Sequence, residues 1–331
     1  MNISTGEPSI EVSIIIVSFN TREVTLECLR SIDRHMPSVA FEVIVLDNCS
    51  TDGSADAIEA AYPEYTLIRL EENVGFAAGN NIATQYACGD YVLFLNPDTE
   101  LLASSVDNLL KAAKQHSDAG AWGGRTLFAD HTLNPSSLRA FTSLRGLLFS
   151  ACGASYAFKR SSFFNPDPYP GFLRDRSREV DILFFCFVMM KRDMWERLGG
   201  FDTRFFMFCE DDDVCFRIRQ AGYPIWFTPD AVVIHHGGVS IPNSSRRAVA
   251  ILKARVTFVD RHWSSLKATM ARLLLRTGIF IRMVASAMAR GSRAQMWREV
   301  WERRNDWLVG YPERNISANA NVRLPKHPAV Q

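Results

Sequence analysis

The densest concentration of reactive groups in this chain is a run of four acids, Glu210-Asp211-Asp212-Asp213, at the head of a helical pattern. Carboxylates packed this closely repel one another, which raises at least one pKa and makes a better general base. Acids at a helix N-terminus are also favoured by the macrodipole, so plain capping is the competing explanation. Four in succession is more than a cap needs. A second carboxylate, Asp98, follows Asn96-Pro97. With open neighbours it suits a divalent cation that keeps water and bridges phosphates, although an ordinary turn or N-cap Asp fits the same letters. His235-His236 follow an apolar run and precede Gly237-Gly238. A neutral imidazole there could complete a metal site with Asp98; the alternative is a polar strand end in solvent. Cys186, inside LFFCFVMM, reads as core.

These groups need a scaffold, and the first 125 residues describe one. EVSIIIVSFN, EVIVLDN, YTLIRL and YVLFLN are apolar runs that read as strands, with AGAWGG as a fifth. Between them TREVTLECLRSIDRH, GSADAIEAAY, GFAAGNNIATQYA and SSVDNLLKAAKQH carry helical spacing. Continuous apolar strands alternating with helices predict an α/β fold, a mostly parallel sheet covered on both faces. Ligands in such sheets bind outside the carboxyl ends of the strands. Those ends are Ser18 and Asn20, Asp47, Asn73 and Gly75, then Asn96 and Asp98. Each alone is a usual turn residue; together they predict one crevice. Residues 126–178 are irregular. VDILFFCFVMMK is expected to form one further strand, RDMWERLGG a short helix stopped by glycine, DDDVCFRIRQAG a helix and AVVIHH a last strand.

Composition and missing motifs narrow the function. The chain has 331 residues, 47% hydrophobic and 22% charged, with net charge +1, which suits a globular protein and gives no reason to expect nucleic acid. No GxGxxG follows strand one, and neither GxxxxGK[ST] nor GxSxG occurs, so dinucleotide, P-loop and α/β-hydrolase sites are disfavoured. A nucleotidyltransferase on a related sheet would want a glycine-rich basic loop after strand one, which SFNTREVTLE does not supply. A non-catalytic binding protein would have little use for the acidic run. Seven scattered cysteines without a CxxC pair argue against a disulfide framework and for a reducing compartment. The polar N-terminus lacks a signal-peptide core, and no long charge-free apolar stretch predicts a transmembrane helix.

In this order the segments VSFN, VLDNCSTDGS, ENVGFAAGNN, FLNPDT, LGGFDTRFFMFCEDDDVCFRIRQAGY and HHGGVS resemble family 2 glycosyltransferases of the GT-A fold, and more narrowly their rhamnosyltransferase-like branch. The resemblance covers about residues 12–240. It implies an inverting transfer of sugar from a nucleotide-diphosphate donor to an acceptor hydroxyl, usually with Mg²⁺ or Mn²⁺. It makes Asp47 the carboxylate that holds the donor base, with Ser18 and Asn20 in the same pocket and Asn73, Gly75, Asn81 and Asn96 along the donor. Asp98 takes the place of the second DxD carboxylate, and His235 that of the metal-side histidine, with His236 beside it. Asp211 matches the catalytic base. Glu210 and Asp213 flank it, and Cys186 stands near the acceptor pocket where glycine is frequent. The branch makes dTDP-rhamnose the first donor to expect, and a cell-surface glycan or lipid-linked precursor the acceptor.

Charge divides the chain. Residues 1–245 carry net −11 and residues 246–314 net +10. The expected organisation is a tail 1–11, a catalytic domain 12–245 with a nucleotide-binding half (12–125) and an acceptor half (126–245), a basic helical region 246–310 and a tail 311–331. In LKATMARLLLRTGIFIRMVASAMARGSR, helical geometry gathers Arg272, Arg276, Arg282, Arg290 and Arg293 on one arc. That pattern suits a helix on an anionic membrane, hence a cytoplasmic protein peripheral to the inner face of the plasma membrane. The alternative is a helix packed on the catalytic body with a solvated basic stripe. Trp297, Trp301 and Trp307 fit either as interface anchors or as core.

Overall fold

The computed structural model describes residues 9–237, 245–287, 291–313 and 322–323. Residues 1–8 of the N-terminal tail, Gly238 with the rest of HHGGVS, Arg290 and most of the C-terminal tail lie outside the described residues. The first half alternates as expected: β1 (Val12–Ser18), α1 (Arg22–Arg34), β2 (Phe41–Asp47), α2 (Ser54–Ala61), β3 (Thr66–Leu70), α3 (Phe76–Ala83), β4 (Tyr91–Leu95), β5 (Thr99–Leu101), α4 (Ser105–Gln115) and β6 (Ala121–Leu127). Then come β7 (Leu138–Arg139), α5 (Leu144–Ala151), α6 (Ala154–Ala157), β8 (Arg178–Glu179), β9 (Ile182–Leu183), β10 (Phe187–Lys191), α7 (Arg192–Leu198), α8 (Glu210–Gln220) and β11 (Ile225–His235). The helical region holds α9 (Ser245–His262), α10 (Ser265–Ala287), α11 (Ser292–Glu302) and α12 (Arg304–Trp307), followed by a short strand, β12 (Val322–Arg323).

The main sheet runs β12-β3-β2-β1-β4-β10-β6-β11-β5, with β8 added on β11. β1 pairs in parallel with β2 and β4, β2 with β3, and β6 with β11. β10 lies antiparallel to both β4 and β6, so all of these parallel strands still point the same way. Their carboxyl ends therefore share one edge. The strands are apolar on both faces because both are covered: Ile15 and Val17 face one core, Val12, Ile14 and Ile16 the other.

Two elements differ from the sequence reading. VDILFFCFVMMK is two strands in different sheets, since β9 pairs β7 and β10 enters the main sheet. A continuous apolar run carries no signal for the break at residues 184–186 between them. The three-residue strand β5 was too short to leave a pattern, yet it pairs antiparallel with the end of β11, His235 opposite Thr99.

The basic region packs on the body. Buried residues of α9 and α10, with Val300 and Trp307, form a third core that includes Leu147 and also Phe205 and Cys209 from the turn before α8. Trp307 is fully buried, and Trp297 and Trp301 pack against that core. The single basic arc does not form: α10 ends at Ala287 and Arg293 belongs to α11. Arg272 pairs with Asp260, and Arg282 turns inward to Ser150. The outward face of α10 is instead apolar, with Leu266, Met270, Leu273, Phe280, Ile281 and Val284 exposed. Among the described residues no helix is long and apolar enough to cross a membrane. All seven cysteines are free.

Candidate active site

The carboxyl edge of the parallel strands brings the first set of predicted residues together. Ser18 and Asp47 end β1 and β2 opposite each other. Asp47 is buried; one carboxylate oxygen accepts the Ser50 amide at 3.0 Å, while Oδ1 has no partner. A buried acceptor left open at a strand end is a place for a ligand N–H. Asn20, at φ 51°, takes the Thr51 amide on Oδ1 at 2.8 Å and so ties the two strand-end loops. Ser18 is fully buried and turned into a cluster of hydroxyls with Thr21 and Thr25, both about 3.1 Å away. Asn73 accepts the Gly75 amide. Gly75 sits at φ 90°, where a Cβ would lie 2.5 Å from the Phe206 carbonyl, so only glycine lets the loop before α8 approach α3.

Asn81 does not join this pocket. Its amide brackets Phe201, donating to the carbonyl at 2.8 Å and accepting from the N–H at 2.9 Å. The donor-binding role expected for it is corrected: it is a clamp on the turn after α7. Asn48, which sequence reasoning passed over, does the comparable work near the site, since its buried side chain holds the Val74 amide and Gly75 carbonyl.

The second set forms a corner. Because β5 pairs with the end of β11, Asp98 meets His235, with Oδ1 3.3 Å from Nε2. His236 points elsewhere, to Glu100 at 2.6 Å, so His235 alone of the doublet faces Asp98. Burial would raise the Asp98 pKa, but the hydrogen bond and charge of His235 outweigh it and hold the carboxyl low. Asn96 Oδ1 and His235 Nδ1 are buried without partners. Among the described residues no group of three His, Cys, Asp or Glu side chains is placed to hold a metal. The oxygen and nitrogen donors of Asp98 and His235 converge here and would fit a divalent ion that takes its other ligands from outside the protein.

The third set sits on the first turn of α8. Phe208 and Cys209 both adopt positive φ, 69° and 61°, a strain of about 1–3 kcal/mol each that surrounding contacts must hold. Those contacts are the Phe76 amide on the Phe206 carbonyl, the Tyr311 hydroxyl on the Met207 carbonyl, and the third core around Cys209. The turn delivers Glu210, Asp211 and Asp212 to the wall of a cavity of about 420 Å³, shared with Arg139, Asp167 and Arg255. Asp211 Oδ1 is enclosed and unpartnered. Burial, and then the Asp212 charge, push its pKa up to about 7 against the opposing Phe185 amide and Arg139. Burial and Asp211 likewise raise Glu210 well above the usual range. Asp212 is neutralised by Arg139. Asp213 leaves the cavity, bound by Arg217, Arg261 and His262, which makes it a structural support for the turn.

The break between β9 and β10 links the corner to the base. The Phe185 amide faces Asp211, while Cys186, buried next to it, lies against His235 and donates weakly to Ser136 O at 3.8 Å. The Asn96 amide donates to the Cys186 carbonyl at 3.1 Å. Asp211 thus meets Phe185, while His235, the partner of Asp98, meets the adjacent Cys186.

The profile of glycosyl transferase family 2 matches residues 13–199, more than half of the chain. The chain belongs to this family. It is similar to the N-acetylglucosaminyl-diphospho-decaprenol L-rhamnosyltransferase of Mycobacterium tuberculosis, 28% identical over 77% of this chain and 87% of that protein. It is also similar to rhamnosyltransferase WbbL of Escherichia coli, 29% identical over 68% of this chain and 83% of the relative. The glycosyltransferase therefore stands in the rhamnosyltransferase-like branch. Its fold resembles that of the mannosyltransferase PcManGT from Pyrobaculum calidifontis, solved with GDP-Man and Mn²⁺. The TM-score is 0.54 and the identity 20%, covering 92% of this chain and 84% of that one. That likeness gives the fold as GT-A.

Sequence reasoning missed Arg139, Asp167, Arg247 and Arg255 around the cavity. Arg139 sits on the short strand β7 in the irregular stretch, and the two α9 arginines look like any solvated basic helix face. Only the placement of α9 across the α8 turn reveals them.

Proposed function

We propose that this glycosyltransferase moves a sugar, first of all rhamnose from dTDP-rhamnose, onto an acceptor hydroxyl of a glycan or lipid-linked precursor, in one inverting displacement with Asp211 as base. The observation that carries the reading is the enclosed, unpartnered Oδ1 of Asp211, on a carboxylate poised near neutral pH on the wall of a cavity. A base with pKa close to the working pH combines a populated anionic form with useful proton affinity.

In this reading the open Oδ1 of Asp47 accepts an N–H of the pyrimidine base, and Asn20 and Gly75 keep the surrounding loops in place. Asp98 and His235 hold Mg²⁺ or Mn²⁺, which when bound supplies positive charge to the departing diphosphate. Asp211 takes the acceptor proton as the hydroxyl oxygen bonds to the anomeric carbon from the face opposite the diphosphate. The carbon–oxygen bond to phosphate breaks, and the nucleotide diphosphate leaves. Arg139 keeps Asp212 paired so that its charge tunes Asp211 without competing for the proton. Asp211→Asn should lose transfer while titration calorimetry still finds donor binding; turnover at the normal rate overturns the assignment.

The relatives' names support a lipid-linked acceptor, and the exposed apolar stripe of α10 supports peripheral attachment to an anionic membrane, cytoplasmic side. Leu273→Glu should reduce flotation with anionic liposomes severalfold; equal flotation removes the membrane part of the reading.

A further inference from the structure

A second cavity, of about 210 Å³, lies between α5, α9, α10 and α11. Its walls are largely apolar, with Leu147, Leu252, Leu274, Leu275, Ile279 and Trp297. Ile251 and Arg255 line both this cavity and the one that holds Asp211, so the two adjoin and Arg255 stands at the junction. Nothing in the reaction described above uses this space.

The junction is unusually cationic. Arg282 projects from α10 into the apolar cavity, where it donates to the Ser150 carbonyl and hydroxyl at 2.9 Å and lies 5.7 Å over the Trp297 ring. Among the described residues it has no carboxylate partner. Arg255 has none either, and its Nε is enclosed without a hydrogen bond. The acid that faces Arg255 is Asp167, whose own pKa burial has raised. Burial and the Arg255 charge both disfavour the protonated form of Arg282. Two partly desolvated guanidinium groups near each other are costly unless an anion joins them. Planar guanidinium forks match phosphate oxygens in pairs.

We propose that Arg255 and Arg282 bind the diphosphate of a lipid-diphosphate acceptor, whose first carbons enter the apolar cavity while its sugar lies against Asp211. The combination is specific: anion-binding groups at the mouth, hydrocarbon walls behind them, and the base on the other side. Helix α10 lines the cavity with one face and exposes an apolar stripe on the other, so a long chain leaving the cavity meets further apolar surface. This inference deepens the glycosyl-transfer reading and rests on it for the sugar's position.

The test is binding of farnesyl diphosphate, inorganic diphosphate and farnesol to the full chain by titration calorimetry, with a chelator present to silence metal-dependent donor binding. Farnesyl diphosphate should bind at least about tenfold more tightly than inorganic diphosphate, and farnesol should bind more weakly still. Arg255→Gln should weaken farnesyl diphosphate by about tenfold or more, the usual cost of losing hydrogen bonds to a charged group, and Arg255→Lys should recover part of it. Leu274→Trp, which fills the cavity, should weaken farnesyl diphosphate and leave inorganic diphosphate unchanged. Equal affinity for the lipid and inorganic diphosphates overturns the proposal, as does unchanged binding in a folded Arg255→Gln protein, its melting curve matching wild type. Farnesyl diphosphate binding to Asp211→Asn separates the two readings, and it should match wild type. An active Asp211→Asn enzyme sinks the base assignment, whereas wild-type lipid binding in Arg255→Gln sinks only this inference.

Discussion

Asp211 and Asp213 lie two residues apart on the first turn of α8, and the molecule treats them in opposite ways. Asp213 is wholly buried and bound by two arginines and a histidine: Arg217 at 2.7 Å, His262 at 2.7 Å and Arg261 at 3.1 Å. Arg217 comes from the same helix, while Arg261 and His262 come from α9. Asp211 faces the cavity with an oxygen that nothing satisfies. One face of the turn is a finished ionic joint that locks α9 to the catalytic body; the other is left incomplete. A buried polar group without a partner costs free energy that a stability-optimised protein would not carry. The contrast teaches which carboxylates of the acidic run hold the fold and which are left open, a division the four letters EDDD do not contain.

The comparison breaks most visibly at Asp211. Asp211→Asn should lower kcat by roughly 10²–10⁴-fold, the usual worth of a positioned base, with donor affinity within about twofold of wild type. Steady-state transfer assays and calorimetry check both halves. Asp213→Ala should act in the reverse sense. Removing one member of a buried ionic cluster strands the others, so unfolding stability should fall by about 3–5 kcal/mol. Urea denaturation measures it. A Asp213→Ala protein as stable as wild type, or an Asp211→Asn protein that unfolds, would mean the two faces have been read the wrong way round.

Asp98→Ala sharpens the comparison from the donor side. Among the described residues its carboxylate pairs with His235 alone, so the proposed role is that of a ligand rather than a joint. Metal-dependent donor affinity should fall on the order of tenfold or more, while the melting temperature changes little. Donor titrations with Mn²⁺ and with a chelator separate the two: wild type should lose affinity on chelation, and the variant should show no difference between the conditions.

How far the site could be read in advance follows the same division. Ser18, Asp47 and Asp98 end strands that alternate with helices, and a parallel sheet must send such ends to one edge, so their gathering was legible. His235 was legible as a strand end, but its meeting with Asp98 depends on β5, three residues long and without periodicity. Asn81 was misplaced because an Asn on a helix after a glycine loop looks the same whether it meets a ligand or the backbone of Phe201, 120 residues away. The Phe185–Cys186 segment hides inside an apolar run because a strand break there leaves no polar residue to mark it. Arg139 was invisible because β7 is two residues long, and Arg255 because only the packing of α9 against the α8 turn puts it on the cavity wall. What local pattern encodes was readable, and what α9 and its neighbours impose from afar was not.

The finest distinction between the two faces is one of stability against pH. Asp211 has a folded pKa of about 7, against about 3.9 for an exposed Asp in an unfolded chain. Between these values the folded protein holds a proton that the unfolded chain has released, so stability declines as pH rises through that window. The decline is complete once pH exceeds the folded value. Asn cannot ionise and escapes it. Asp211→Asn should therefore match wild type in stability near pH 4 and exceed it at pH 8, by up to about 4 kcal/mol. In the same window wild-type kcat/KM should fall as pH drops below about 7, because the protonated carboxyl cannot accept the acceptor's proton. Loss of activity and gain of stability would then trace one titration, seen from its two ends. Urea midpoints at pH 4, 6 and 8 for both proteins provide the check. A stability difference that is constant across the three would show that Asp211 stays ionised throughout, in which case burial has not tuned it and the two faces of the turn differ less than their contacts imply.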